Sequence, residues 1–229
     1  MEIGPLIKIL RDYPLFGEVS QAELAGLLDG HRFRNIRHHQ NLYRAGDAAE
    51  SFAIVLTGAF KLVRTTPKGE DAIVYFATPG EVIGGLVMLN AGGTYPVSAV
   101  ALGPSTALAI PRATYTRAWL PNAAVQAKIN STLYSRMSVL QEDKANSKLS
   151  LQQRVASLLL AILEKQPTGE KNRLPIPLTR QEIADSVGSS VESVIRCMSE
   201  LAQQGLIHTE DKQIEILRTD KIVELLKNP

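Results

Sequence analysis

Cysteine is almost absent from this chain of 229 residues, which contains a single thiol at Cys197. One cysteine excludes a disulfide within the chain and a four-cysteine zinc or iron–sulfur site built by one copy. Such usage is typical of the reducing cytoplasm, where we expect the protein to act. The chain also lacks an apolar run of about 18 residues, so we expect no membrane span. Its first residues, MEIGPLIKIL, do not have the pattern of a secretory signal.

Net charge is low as well. The chain carries 25 Lys and Arg against 23 Asp and Glu, a formal net charge of +2. Residues 148–229 contain 11 basic and 11 acidic side chains. A basic excess is the usual electrostatic sign of nucleic-acid binding. Because that excess is missing, binding to DNA must be argued from the placement of individual residues.

Glycines recur at nearly regular intervals in the first half of the chain. They stand at positions 46, 58, 69, 80, 92 and 103. Between them lie short segments rich in β-branched and aromatic residues, such as SFAIVLTG and DAIVYFATPG. Turn residues at this spacing predict an antiparallel sandwich or barrel. We therefore expect an α+β protein with an N-terminal antiparallel β-roll, a cupin-like jelly roll, in which 59–65 and 71–77 form a hairpin.

Glycine and proline are missing from residues 122–149. Apolar residues recur there at steps of three or four: Val125, Ile129, Leu133, Met137 and Leu140. The pattern predicts a helix of about 28 residues, roughly 42 Å long. Its narrow apolar stripe fits the seam of a homodimer, although Arg136 and Asp143 interrupt it, and packing on its own β domain is the open alternative. The expected domains are a β-roll sensor at 1–118, a dimerisation helix at 119–149 and a C-terminal unit at 150–229.

The C-terminal unit contains two helix starts in close succession. In LTRQEIADSVG, Thr179 and Glu182 have the spacing of a capping box, and Gly188 is placed to end the helix. Ser189 and Glu192 predict a second capping box immediately afterwards. Two short helices joined by a tight glycine turn predict a helix-turn-helix.

Two short strands are predicted after the second helix. The segment LIHTEDKQIEILR reads as strands joined by a polar EDK turn, which makes a wing with Lys212 at its tip. At 100° per residue the second helix has one apolar face, formed by Val194, Cys197, Met198 and Leu201. Glu192, Arg196 and Ser199 share the opposite face, flanked by Ser189 and Ile195. A guanidinium and a carboxylate placed in this way can bond guanine and cytosine edges in a major groove.

The stretch LTRQEIADSVGSSVESVIRCMSELAQQGLI resembles the DNA-reading segment of the cyclic-AMP receptor / fumarate–nitrate regulator (CRP/FNR) family. The order of β-roll, long helix and winged helix is similar too. The resemblance implies a homodimeric transcription regulator that reads palindromic DNA through two recognition helices. Its partners would be double-stranded DNA, a second copy bound through the 122–149 helix, a small-molecule effector and, for an activator, RNA polymerase.

By position, the resemblance implies that Glu192 and Arg196 read bases. Val191 matches the valine of the nitrate-regulator branch, whereas Ile195 departs from the serine usual there and leaves the half-site open. The residues expected at DNA are Arg180, Gln181, Ser189, Ser190, Val191, Glu192, Ser193, Ile195, Arg196 and Lys212.

Members of the family that bind cyclic nucleotides carry a Gly-Glu-Leu turn and then an Arg-Ser pair, and this chain departs from both. Gly85 stands at the Glu position, and Tyr95–Pro96 occupies the Arg–Ser region. A buried phosphate without a guanidinium is costly, so the expected effector is not cyclic AMP. The candidate pocket residues are Gly84, Gly85, Leu86, Tyr95, Pro96, Val97, Ser98, Tyr134 and Met137. Loss of ligand control is the other outcome that this departure allows.

Three other interpretations stay open at this stage. A haem- or gas-responsive regulator of the same family would use His31, His38 and His39, which we expect at the surface because their stretch is polar and basic. We predict no cofactor and no metal site, with haem left open. A cupin-type metalloenzyme needs spaced histidines, whereas this chain has adjacent His38 and His39 and then only His208, so we expect no enzyme. A winged helix that binds protein would show no salt-dependent affinity for DNA.

Overall fold

A computed structural model describes residues 3–66, 69–90, 92–145, 149–165 and 172–227, and in the helix ending at Ala145 it describes side chains only up to residue 134. The chain forms two compact units. The first contains Met1–Phe60 and Ala77–Ala145, and the second contains Lys61–Phe76 and Asn146–Pro229.

Eight strands form the β-roll. They are β1 (Arg32–Ile36), β2 (Asn41–Tyr43), β3 (Ser51–Thr57), β4 (Phe60–Thr65), β5 (Asp71–Ala77), β6 (Val82–Ile83), β7 (Ser98–Ala101) and β8 (Ser105–Pro111). Two four-stranded sheets contain them, in the orders β1-β8-β3-β6 and β2-β7-β4-β5. The recorded pairings are antiparallel, with Ala53 opposite Ala109 and Ile54 opposite Leu108 in the β3–β8 ladder. The predicted hairpin corresponds to β4 and β5.

Gly58 shows why glycine is needed between strands. Its φ is +71°, and a Cβ there would lie 2.7 Å from the carbonyl oxygen of Pro104. Both the left-handed backbone and the close approach of the 104–105 segment therefore exclude a side chain. The turn after β3 can be this tight because position 58 is glycine.

The helical segments of the first unit contact the strands at Trp119. They are α1 (Ile3–Arg11), α2 (Gln21–Leu27), α3 (Arg112–Thr114, continued by a π-turn at Tyr115–Trp119) and α4 (Ala123–Ala145). The Trp119 indole is fully buried and donates from Nε1 to the carbonyl oxygen of Leu27 at 2.8 Å. Its ring meets Phe52 of β3 edge-on, with centroids 4.6 Å apart. One aromatic side chain thus joins α2 and the strand layer in a single core.

The predicted long helix is shorter than the sequence pattern suggested. It spans 23 residues and begins where Asn122 Oδ1 accepts from the Val125 N–H at 3.0 Å. The predicted end at Leu149 is wrong because Ser150, in an extended conformation, is the N-cap of the next helix. Val125 is buried and Leu133 is half-buried, whereas Met137 lies outside the described side chains. The dimer seam stays a prediction.

The second unit contains a winged helix-turn-helix. Its elements after β5 are α5 (Leu151–Leu163), α6 (Arg180–Val187), α7 (Val191–Gln203), β9 (Ile207–Glu210), β10 (Gln213–Ile216) and α8 (Thr219–Lys227). β9 and β10 pair antiparallel, as expected of the wing. The capping box of Thr179 and Glu182 is confirmed, and Gly188 ends α6 with a φ of +63°. Sequence reasoning missed α8, whose Ile222 is fully buried.

The architecture confirms the predicted α+β class, with an antiparallel β-roll followed by a long helix and a winged helix-turn-helix. Among the described helices, none combines the length and the apolar character needed to cross a bilayer.

Candidate DNA-binding surface

The second helix of the helix-turn-helix, α7, has one buried and one exposed face. Val194 and Leu201 are fully buried, and Cys197 and Met198 are 5% and 1% exposed. Glu192, Ile195, Arg196 and Ser199 on the other side are exposed. The apolar side anchors α7 in the unit, so the polar side is the surface that can meet a ligand.

The start of α7 differs from the predicted capping box of Ser189 and Glu192. Ser190 is the N-cap, and its Oγ accepts from the Ser193 N–H at 3.2 Å. The Ser189 N–H instead donates to the carbonyl oxygen of Ala184 at 3.1 Å and so completes the end of α6. Since α7 begins at Val191, Glu192 is its second residue and is one position too early to cap the helix.

The side chains of Glu192 and Arg196 stand one turn apart without bonding each other. Within the described part of the chain, no ion pair or side-chain hydrogen bond joins them, and the Glu192 carboxylate makes no hydrogen bond to another residue. The Arg196 guanidinium makes one long contact, from Nη2 to Ser193 Oγ at 3.4 Å. An exposed pair at this spacing usually gains only a few tenths of a kcal/mol. Both groups are therefore available to an external ligand.

A cleft of about 350 Å³ lies between the start of α6 and the wing. Its lining consists of Leu178, Thr179, Arg180, Thr209, Glu210, Asp211 and Lys212. Arg180 donates from Nη2 to Thr209 Oγ1 at 3.2 Å, and burial lowers the pKa of its guanidinium. The Leu178 N–H donates to the carbonyl oxygen of Lys212 at 2.8 Å, which fixes the wing tip beside α6. Two cationic side chains, Arg180 and Lys212, thus share one edge of the surface.

The other residues predicted to contact DNA are either hydrogen-bonded within the protein or partly buried. The Gln181 amide donates to Asp185 Oδ1 at 2.7 Å on the exposed side of α6. Val191 and Ser193 are half-buried at the start of α7. These residues can position the helix, whereas Glu192 and Arg196 are better placed to reach outward.

Sequence reasoning missed Arg154, which holds the turn of the motif. This residue of α5 donates from Nη1 to the carbonyl oxygens of Val187 and Gly188 at the end of α6. A cation at a helix C-terminus is favourable because the last carbonyl groups lack helical partners. The contact fixes where α6 ends and hence the direction in which α7 begins. Only the three-dimensional structure reveals it, since 33 residues separate Arg154 from Val187.

The predicted effector region is filled by two tyrosines. The Tyr95 ring stacks on Tyr43, with centroids 4.1 Å apart and planes at 15°. The Tyr95 hydroxyl donates to the carbonyl oxygen of Ser51 at 2.6 Å. Gly84 lies under the same ring, since a Cβ there would be 3.2 Å from Tyr95 Cε1. Burial raises the pKa of Tyr43 above its ordinary value, as expected of a phenol held in the core. Sequence reasoning did not identify Tyr43.

Arg112 is committed to the backbone beside this region. Its guanidinium donates from Nη1 to the carbonyl oxygens of Met88 and Asn90, at 2.8 and 2.6 Å. Nε donates to the carbonyl oxygen of Ala49 at 3.1 Å. The guanidinium therefore joins the segment 88–90 to Ala49 and has little capacity left for a phosphate.

The other candidate pocket residues differ in how exposed they are. Leu86 is 51% exposed and Tyr134 is 75% exposed. Pro96 is exposed, and Gly85, Val97 and Ser98 are half-buried. Met137 lies outside the described side chains. The close approach described among the predicted pocket residues is that of Gly84 and the Tyr95 ring.

The described residues contain no group of three or more His, Cys, Asp or Glu side chains able to hold a metal ion. His38 and His39 are exposed with their rings 3.8 Å apart, and His31 Nδ1 lies 2.7 Å from the carbonyl oxygen of Leu28. The adjacent histidines therefore form a surface turn, and the cupin-type metal site finds no support in this geometry.

Comparisons with known proteins agree with this architecture. The Cyclic nucleotide-binding domain family matches residues 33–119, and the Crp-like helix-turn-helix domain family matches residues 153–225. The chain is 30% identical to the transcriptional activator protein Anr of Pseudomonas aeruginosa over 202 residues, covering 85% of this chain and 80% of Anr. It is 29% identical to the nitrogen fixation regulation protein FixK of Bradyrhizobium diazoefficiens over 171 residues, covering 73% of this chain and 70% of FixK.

The structure of FixK2 from Bradyrhizobium japonicum matches with a TM-score of 0.71 at 22% identity, covering 85% of this chain and 96% of that one, and supports the fold. An exposed recognition helix, two matching domain families and an activator relative at 30% identity lead to one conclusion. The chain belongs to the CRP/FNR family of transcription regulators, carries a helix-turn-helix of the DNA-binding type, and is not an enzyme.

Proposed function

We propose that the protein is a homodimer that binds a near-palindromic DNA site in a sequence-specific manner, with α7 of each copy in a major groove. The observation that carries the proposal is that the side chains of Glu192 and Arg196 are exposed and do not bond each other. A guanidinium can donate to both O6 and N7 of guanine, and a carboxylate can accept from N4 of cytosine. The two side chains therefore have the chemistry to read a G·C pair and its neighbour.

Arg180 and Lys212 supply the sequence-independent part of the interaction. Both line the cleft between α6 and the wing, beside the exposed face of the motif. Phosphate contacts of this kind fix the register of a protein on the duplex without carrying sequence information. A protein of low net charge can therefore bind DNA, because a few cations at the right positions are enough to contact the phosphates.

Dimerisation through α4 is the reason that we expect a nearly palindromic DNA site. Two recognition helices related by a twofold axis read half-sites about 34 Å apart, which requires a symmetric sequence. Exposed apolar side chains in the first unit support a partner surface: Leu86 and Leu89 are 51% and 55% exposed, and Tyr134 is 75% exposed. We assign dimerisation to the segment 119–149, of which α4 (Ala123–Ala145) is the helical part, between the sensor domain at 1–118 and the DNA-binding domain at 150–229. The protein would act in the cytoplasm and, as an activator, contact RNA polymerase.

Any effector of the β-roll differs from cyclic AMP. The stacked Tyr43 and Tyr95 rings occupy the space over Gly84, and Arg112 is bonded to backbone carbonyl groups. An incoming cyclic phosphate would thus find neither room nor a free guanidinium at this place. An apolar effector that displaces the Tyr95 ring, or the absence of ligand control, fits these contacts better.

Selection from a random duplex library with the full-length protein tests the proposal. We expect enrichment of a twofold-symmetric motif whose affinity falls steeply with salt. Arg196→Ala should weaken binding to that motif by roughly 5- to 150-fold, or about 1–3 kcal/mol, and relax preference at one base position. Arg37→Ala is the matched control, because Arg37 is an exposed arginine of the β-roll. Absence of any enriched motif, or equal effects of the two variants, would contradict the proposal.

A further inference from the structure

An aliphatic side chain lies in the polar face of α7. Ile195 is 47% exposed, between the exposed Glu192 and Arg196. The helix core does not use it, since Val194, Met198 and Leu201 already fill the buried side. Single exposed aliphatic residues are common on proteins, so the exposure alone assigns no role. Its position among the two base-reading groups is what makes it informative.

Helix geometry places Ile195 on the same surface as these groups. At about 100° per residue, it lies about 60° from Glu192 around the axis and about 4.5 Å further along the helix. The Ser199 hydroxyl donates to the Ile195 carbonyl oxygen at 2.9 Å, so the neighbouring outward hydroxyl already has an acceptor within the helix. Ile195 lies about 100° from Arg196, on the opposite side of Glu192, so an edge of the duplex that contacts Glu192 is within reach of the exposed Ile195 side chain.

The major groove offers one apolar group on its base edges, the C5-methyl group of thymine. An isoleucine side chain can neither donate nor accept a hydrogen bond. Opposite the amino group of cytosine or adenine it would remove water from a polar group without replacing the lost hydrogen bond. Contact with a methyl group removes apolar surface from water on both sides and is favourable.

We propose that Ile195 reads a thymine methyl group next to the base pair read by Glu192 and Arg196, and that it is a specificity-determining residue. The inference rests on the proposed DNA-binding function and adds one base to its half-site. It predicts discrimination between thymine and the other three bases at a single position of each half-site.

Replacement of thymine by deoxyuridine tests this directly, because it deletes the methyl group and leaves the pairing unchanged. Duplexes carrying the selected site would be scanned with one symmetric deoxyuridine pair at a time, by fluorescence anisotropy at fixed salt. At one position of the site, the replacement should weaken binding by about fourfold per half-site, which is the effect expected for loss of one methyl-sized group. In Ile195→Ser that loss should disappear, whereas Ile195→Val should retain most of it.

A second chemical control adds the methyl group back. With cytosine at the same position, 5-methylcytosine should bind the wild-type protein better than cytosine, and Ile195→Ser should not distinguish the two. A deoxyuridine scan without any sensitive position, or a sensitive position unchanged in Ile195→Ser, would overturn the inference while leaving the DNA-binding function intact. If the wild-type protein binds no duplex selectively, the proposed function itself fails and this inference fails with it.

Discussion

Lys61 and Glu182 form an ion pair within the second unit, with Nζ 3.1 Å from Oε1. The side chains are only 16% and 6% exposed. The other carboxylate oxygen, Oε2, accepts from the N–H and the hydroxyl of Thr179, both at 2.9 Å. One carboxylate thus caps the first helix of the DNA-binding motif and binds a lysine of strand β4. The position of α6 depends on both contacts.

Removal of the lysine should destabilise the second unit. Lys61→Met leaves the Glu182 carboxylate buried without its cation, and we expect a loss of about 2–3 kcal/mol in the free energy of unfolding. Urea denaturation followed by circular dichroism would measure it. Lys61→Arg preserves the charge and should lose much less. Equal losses for the two variants would show that packing of the side chain, not its charge, is what matters.

The same pair predicts a pH dependence of stability. Burial raises the pKa of Glu182, but the hydrogen bonds from Thr179 and the Lys61 ammonium outweigh burial and hold it below the ordinary value of 4.5. A carboxyl with a depressed pKa in the folded state stabilises the protein above its unfolded pKa. That contribution should be complete above about pH 5 and be lost as the pH falls through the folded pKa, below 4.5.

Comparison with Glu182→Gln isolates this contribution. The variant should be less stable at neutral pH, and the difference from wild type should shrink as the pH is lowered below 4.5. Glu200→Gln, which changes an exposed carboxylate of α7, serves as the control. A difference that stays constant from pH 7 to pH 3 would show that the pKa of Glu182 is the same in the folded and unfolded states, which contradicts the prediction.

Ser190 and Ser189 provide a test of where α7 begins. The Ser190 hydroxyl caps the helix, so Ser190→Ala should cost about 1 kcal/mol of unfolding free energy. Ser189 acts through its backbone N–H, which an alanine retains, so Ser189→Ala should cost less than half of that. Thermal unfolding of the two variants side by side gives the comparison. A larger loss of unfolding free energy for Ser189→Ala than for Ser190→Ala would instead support the capping box that the sequence spacing predicted.

Lys212 should contribute to DNA affinity without affecting sequence preference. Lys212→Ala should weaken binding to selected and random duplexes by the same factor, and it should reduce the slope of log affinity against log salt by about one. The matched control is Lys227→Ala, at the exposed end of α8. A change in base preference in Lys212→Ala would argue against a pure phosphate contact.

Cyclic AMP should not bind tightly. Tyr43 and Tyr95 fill the space over Gly84, so titration calorimetry should detect no association in the micromolar range or tighter. Thermal stability at millimolar nucleotide is a second measurement, in which we expect no shift in Tm. A micromolar dissociation constant would refute the interpretation of the tyrosine pair.

Local patterns could be read from the sequence, and contacts between distant segments could not. The capping box of Thr179 and Glu182 and the end of α6 at Gly188 follow from residues a few positions apart. The start of α7 was predicted one residue too early because both Ser189 and Ser190 are good caps. Only the three-dimensional contact of the Ser189 N–H with Ala184 decides between them.

The side-chain contacts that fill the β-roll and fix the helix-turn-helix join residues far apart in sequence. Tyr43 and Tyr95 are 52 positions apart in sequence, and 121 positions separate Lys61 from Glu182. No periodicity links such residues, since each follows the local pattern of its own strand or helix. The replacement of the family's Arg–Ser pair by Tyr95–Pro96 was visible in the sequence, but the stacking of Tyr95 on Tyr43 was not.

The stacked tyrosines of the β-roll also bear on how a cell could use this regulator. On our proposal, a rise or fall in the concentration of cyclic AMP has no effect on the regulator, because the rings of Tyr43 and Tyr95 occupy the nucleotide site. The expression of genes under its control would then not follow the intracellular concentration of that nucleotide.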